Sequence, residues 1–159
     1  MCSSDLASQV QPGDVCLDIG ANTGYYTALL ARHAMLGAVH AFEPVPLNWH
    51  LLNSNVMLND FANVHVNHCA LGKAPGTAEF SQAADAAFSS LIAVGRRPEA
   101  KRFTVTIDTL DAYLARHSIQ HVHVIKLDVE GAEKLVIEGA QALFSDAARR
   151  PRKIGRAHV

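Results

Sequence analysis

The sequence predicts an α/β domain: a mostly parallel sheet with helices on both faces. Three observations lead there. Short, nearly all-apolar runs at Val15–Ile19, Ala38–Phe42 and residues 122–127 have the composition of strands buried on both sides. The segments between the first runs space their apolar residues at helical intervals. The resulting order, strand, helix, strand, helix, strand, is that of parallel strands joined by right-handed crossovers. A chain of 159 residues, 49% apolar and 18% charged with a formal net charge of -1, suits one globular domain.

Gln11, Pro12, Gly13 and Asp14 form a turn signal that opens the first strand at Val15–Ile19. Asn22, Thr23 and Gly24 then give way to YYTALLARHA, a helix ending near Gly37, and Ala38–Phe42 follows as the second strand. Pro44 and Pro46 open a second helix, which carries Leu47, Leu51, Leu52, Val56 and Leu58 and closes at Asn59 and Asp60. Residues 63–69 read as a third strand. Residues 72–100 are rich in Ala, Ser, Gly and Pro and predict an insertion or lid, with a short strand at 77–80. Residues 103–107 alternate like an edge strand, 109–117 like a short helix and 122–127 as the fourth core strand. A helix over 131–144 sets Leu135, Val136, Ala140 and Leu143 on one face. The pattern stops where a fifth strand would begin, so the expected sheet is truncated at the C-terminus.

The ends read differently from the rest. The DNA string GTGTGCTCTTCCGAT, begun at a GTG start, encodes MCSSD, and its reverse complement encodes IGRAH, the two motifs that begin the chain and nearly end it. The domain is therefore assigned to residues 7–152, with 1–6 and 153–159 taken as non-native tails that pack on nothing.

Composition excludes several roles. No apolar run reaches the roughly 18 residues of a membrane span, and no basic start precedes an apolar stretch, so a cytoplasmic protein without membrane contact is expected. Basic residues cluster only at Arg149, Arg150, Arg152 and Lys153, which argues for a small-molecule or glycan substrate and against nucleic acid. Three cysteines without a CxxC pair and nine scattered histidines offer no disulfide framework and no metal site. Oligomeric state is left open.

Chemistry concentrates at three strand ends. Asp18-Ile-Gly20-Ala21-Asn22-Thr-Gly24 joins the first strand to its helix, where glycines let backbone approach a ligand. A dinucleotide fingerprint would need glycine where Asn22 and Thr27 stand, and Asp18 would repel phosphate; a ligand bearing an amino group and a sulfonium fits better. Glu43, ending the second strand about 20 residues later, can accept two hydrogen bonds from ribose hydroxyls. Lys126 and Asp128 share one face at the end of the fourth strand, with Glu130 and Glu133 entering the next helix near its positive end. The alternative reading of this last group is a helix cap with a buried ion pair.

Taken in order, DIGANTGYYT, AFEP, ALG at 70–72, SSL at 89–91, TLD at 109–111 and IKLDVEGAE at 125–133 resemble the FkbM family of S-adenosylmethionine-dependent methyltransferases over roughly residues 10–144. The resemblance implies a Rossmann-like class I methyltransferase fold with S-adenosyl-L-methionine over the first two strands, and O-methylation of a sugar, glycan or polyketide hydroxyl. It places Asp18, Gly20, Ala21, Asn22, Gly24 and Tyr25 at the cofactor loop, Glu43 and Pro44 at the ribose, and Cys69 and Ala70 near the adenine. Asp128 and Glu130 fall on the acceptor side. A hydroxyl acceptor needs a general base, for which Asp128 or Glu130 is expected, with Lys126 holding the carboxylate or the acceptor oxygen. His68 is a weaker candidate, and metal assistance through Asp128 and Glu130 lacks a third ligand. Two rivals are an NAD-dependent oxidoreductase and a domain that binds the cofactor without turnover.

Overall fold

The computed structural model describes Leu6 and residues 8–82, 101–129 and 131–155. Strands β1 (Val15–Ile19) and β2 (Ala38–Phe42) have the predicted limits, and helix α1 (Tyr25–His33) crosses between them. Helix α2 (Pro46–Leu58) leads to β3 (Val64–Asn67), followed by β4 (Ala70–Leu71), β5 (Gly76–Gln82) and β6 (Lys101–Asp108). Then come α3 (Leu110–Arg116), β7 (Val124–Leu127), α4 (Glu133–Glu138), α5 (Gln141–Ser145) and β8 (Lys153–Gly155). The main sheet is parallel throughout, in the order β3-β2-β1-β7-β8. None of the described helices is long and apolar enough to cross a membrane.

Strand alternation sorts the core into two layers. Leu17, Ile19, Phe42, Ile125 and Leu127 face α3, α4 and α5, meeting Leu110, Tyr113, Leu114, Val136 and Leu143. Cys16, Val39 and Val124 face the other way, against Leu30, Ala31 and Ala34. Asp18 and Lys126 belong to this second side by the same alternation, at the carboxyl ends of their strands.

The structure departs from the sequence reading at four places. The predicted helix over 131–144 breaks into α4 and α5 at Gly139. A Cβ there would lie 2.0 Å from Gly72 O, and the Gly139 carbonyl accepts from Asp111 N at 3.0 Å. The Asp111 carboxylate then caps α5 through Ala142 N and Leu143 N, at 2.8 and 3.1 Å. The predicted strand over 63–69 is shorter, and residues 70–71 pair instead with β6 in a second sheet of order β4-β6-β5. The supposed edge strand is the centre of that sheet; its alternation comes from being half-buried in an antiparallel pair with β5. The remaining lid residues, 83–100, lie outside the described residues.

The fourth departure concerns the ends, expected to pack on nothing. Leu6 is buried with Val10 and Leu30, and residues 153–155 pair parallel with β7 in register Val124↔Lys153, Ile125↔Ile154, Lys126↔Gly155. The cause is the open edge of β7, whose free backbone groups pair with any extended segment brought alongside. Arg152, ion-paired to buried Asp14 and bonded to Gln9 O at 3.3 Å, brings this one alongside. Among the described residues the main sheet thus has five strands rather than four. Deleting residues 153–159 should therefore lower stability by about 1 to 3 kcal/mol, the net worth of a few backbone hydrogen bonds. Unchanged urea denaturation would refute the pairing.

His40 of β2 is buried, with Nδ1 2.8 Å from the Tyr113 hydroxyl. Its ring stacks on that of its cross-strand partner His65 at 4.7 Å, and His117 of the α3 C-cap lies 6.4 Å away. Burial first, then the two neighbouring imidazoles, pushes its pKa down to about 4. The unfolded chain accepts a proton near pH 6.5 that the folded one refuses until about pH 4, so stability is full above that window and falls within it as pH drops. Urea denaturation should show a loss of about 2 kcal/mol between pH 7 and 4.5, much of it absent in His40→Gln. An equal loss in both proteins would contradict the assignment.

Candidate active site

The site forms where β1, β2 and β7 end. β1 leaves the sheet through Gly20, whose φ of 78° is left-handed and whose Cβ, if present, would lie 2.1 Å from Asp128 O. Only glycine allows the β1 and β7 turns to touch in this way. The amides of Gly20 and Ala21 both donate to Phe42 O at 3.0 Å, and Asp128 N donates to Ile19 O at 3.0 Å. Asn22 N donates to Glu43 Oε2 at 2.8 Å, and Gly24 N to Ala21 O at 2.9 Å, which turns the chain into α1.

Glu43 is 4% exposed and straps two loops together, since its Oε1 also accepts from Val45 N at 2.9 Å. Burial pushes its pKa up, while the hydrogen bonds from Val45, Asn22 and Asn48 pull it back. With those three donors in place, one of the carboxylate's roughly four lone-pair sites is left for a ligand.

A denser cluster lies beneath the loop. Asp18, fully buried, accepts the Thr27 hydroxyl on Oδ2 at 2.6 Å, and its Oδ1 stands 3.1 Å from Lys126 Nζ. That contact is an ion pair without hydrogen-bond alignment. Lys126, 3% exposed, donates to Gly20 O at 2.7 Å and lies 5.3 Å from the centre of the Tyr26 ring. Asp128 Oδ2 is 4.0 Å from the same ammonium, and its side chain is 29% exposed. Among Asp18, Lys126 and Asp128, it is Asp128 that is open to solvent.

The structure thus gathers Asp18, Gly20, Ala21, Asn22, Gly24, Glu43, Lys126 and Asp128 at the adjoining carboxyl ends of β1, β2 and β7. Tyr25 opens α1 exposed to solvent, and Pro44 is half-buried between β2 and α2. Glu43 N donates to Asn67 O at 3.1 Å, keeping the end of β3 beside the end of β2. Beyond it, Cys69 packs half-buried against the core and Ala70 begins β4; burial, aided by Asp108, pushes the Cys69 thiol up to about 11. That makes it a packing group rather than a nucleophile. His68 is exposed and stacks on Trp49 at 4.6 Å. Glu130 lies outside the described residues. Among the described residues, no three His, Cys, Asp or Glu side chains are placed to hold a metal ion.

Sequence reasoning missed two partners. Thr27 counted only as an absent glycine, yet its hydroxyl completes the coordination of Asp18. The sequence shows Tyr26 only as one apolar position of the YYTALLARHA helix, yet its ring also faces the Lys126 ammonium. A polar residue in the first turn of a helix that follows an acidic strand end was the available signal for Thr27.

The model of the methyltransferase FkbM domain matches residues 18–151. The chain belongs to the FkbM methyltransferase family. One FkbM relative, the 31-O-demethyl-FK506 methyltransferase of Streptomyces tacrolimicus, is 24% identical over 84% of this chain and 62% of its own. A methyltransferase FkbM from Methylobacillus flagellatus superimposes with a TM-score of 0.63 at 18% identity, covering 91% of this chain and 33% of that one. A Streptococcus mutans structure in complex with SAH gives a TM-score of 0.52 at 8% identity, over 90% of this chain and 62% of that one. These neighbours share the Rossmann-like α/β fold predicted from the sequence. The chain therefore spans under two thirds of the length of the relatives it matches.

Proposed function

We propose that this protein is an S-adenosylmethionine-dependent O-methyltransferase acting on a hydroxyl of a sugar, glycan or polyketide-like metabolite. The observation that carries the reading is the state of the loop amides. Those of Gly20, Ala21, Asn22 and Gly24 are already spent on Phe42 O, Glu43 and Ala21 O. They form no nest for a pyrophosphate; Asp18 and Asp128 flank the ammonium of Lys126, and Glu43 adds a third carboxylate where the neighbouring strand β2 ends. Such a crevice disfavours the dianionic bridge of NAD and suits a cationic methyl donor, so the residues present fit the cofactor.

When bound, S-adenosylmethionine supplies a methyl group activated on sulfur. The chain's own residues do the rest. Gly20 to Gly24 would border the cofactor closely, and the remaining lone pair of Glu43 would receive a ribose hydroxyl, with Pro44 fixing the turn beside it. Cys69 and Ala70 would lie on the adenine side. Asp128, the accessible carboxylate, would accept the proton of the attacking hydroxyl, and the crevice would hold that oxygen in line and away from water. The S. tacrolimicus relative, named for 31-O-demethyl-FK506, supports oxygen as the acceptor atom. The exposure of Asp128 favours turnover over cofactor binding alone.

Incubation with methyl-labelled donor and a panel of glycans and hydroxylated metabolites should yield labelled ethers. Asp128→Asn should lower the rate about a hundredfold or more while changing cofactor affinity little, as expected of a lost general base. Label on nitrogen or carbon, or an Asp128→Asn variant as active as its parent, would overturn the proposal.

A further inference from the structure

Lys126 has almost no surface with which to hold an acceptor oxygen. An ammonium has three donors and no acceptor, and here it donates to Gly20 O at 2.7 Å, pairs with Asp18 Oδ1 at 3.1 Å and stands 4.0 Å from Asp128 Oδ2. The bond to Gly20 carries the consequence. The Gly20–Ala21 peptide is gripped at both ends, its carbonyl by Lys126 Nζ and its N–H by Phe42 O. Glycine has no side chain to resist rotation of that plane, so these two bonds keep the carbonyl turned inward, and the one from the ammonium is the one a side-chain substitution can remove. We propose that Lys126 is a positioning residue: it fixes the left-handed turn of the cofactor loop and ties that loop to Asp128, two residues further along its own strand end. The inference rests on the cofactor reading given above and assigns Lys126 no contact with the acceptor.

The competing role is purely structural, in which Lys126 only neutralises buried Asp18. Substituting Lys126 alone would leave that charge unpaired and confound the two. The charge-balanced double variant Lys126→Met/Asp18→Asn separates them when compared with Asp18→Asn, which keeps the ammonium on Gly20 O. Two readouts are needed: amide hydrogen exchange of the ligand-free protein and calorimetric titration with S-adenosylhomocysteine. The double variant should exchange Ala21 and Asn22 at least tenfold faster than Asp18→Asn, with Leu17 unchanged, and should bind S-adenosylhomocysteine at least tenfold more weakly.

Equal exchange in the two variants would overturn the tether, and faster exchange with equal affinity would overturn its role in cofactor binding. If the wild-type protein binds no S-adenosylhomocysteine, the cofactor reading fails and with it the role in binding, while exchange still decides the tether. Should the double variant not fold, Lys126→Arg serves against wild type, because it keeps the charge opposite Asp18 but replaces a compact ammonium with a wide planar fork. Faster exchange at Ala21 with weaker binding supports the proposal; wild-type values of both overturn it.

Discussion

Asp18 and Lys126 are register partners on adjacent parallel strands, and both are withdrawn from water. Removing two charges from solvent costs several kcal/mol apiece, which the pair recovers only through good geometry and further hydrogen bonds. The Thr27 hydroxyl and the Gly20 carbonyl provide those bonds, and both belong to the segment that leaves β1 and enters α1. A requirement of burial is thereby turned into a constraint on the loop: the first helix and the glycine turn must sit where they complete the pair. Loss of one partner would leave an uncompensated buried charge, whose cost of about 3 to 5 kcal/mol is a large fraction of a domain's stability.

The same constraint sets the chemical character of the crevice. With its carbonyl held inward and its amides spent on β2 and Glu43, the loop presents packed backbone rather than free donors. Glu43 repeats the device one strand over, bridging Asn22 and Val45. Asp128 alone of the three carboxylates keeps substantial exposure. Under the proposed function, binding and proton transfer are divided between these carboxylates by burial, not by residue type.

How much of this was legible in the sequence depended on how local the cause was. Apolar runs bounded by turn residues located β1 and β2 to the residue, and the sequence set Asp18, Glu43 and Asp128 at the ends of strands that the structure shows to be neighbours, β1, β2 and β7. Periodicity could not locate the break at Gly139, whose cause is a contact with Gly72 some 67 positions earlier in the chain. It could not find β8 either, since three residues become a strand there only because β7 offers an edge and Arg152 finds Asp14. Thr27 and Tyr26 escaped for the same reason, their partners being fixed by a turn whose shape is itself tertiary.

The central claim is that this crevice is built for a cationic sulfonium ligand and not for a pyrophosphate. Calorimetric titration of the protein with S-adenosylmethionine and with NAD under the same conditions tests it directly. Saturable one-site binding of S-adenosylmethionine, with no heat from NAD at the same concentrations, is the predicted result; NAD binding as tight as that of S-adenosylmethionine, or no binding of S-adenosylmethionine, would contradict it.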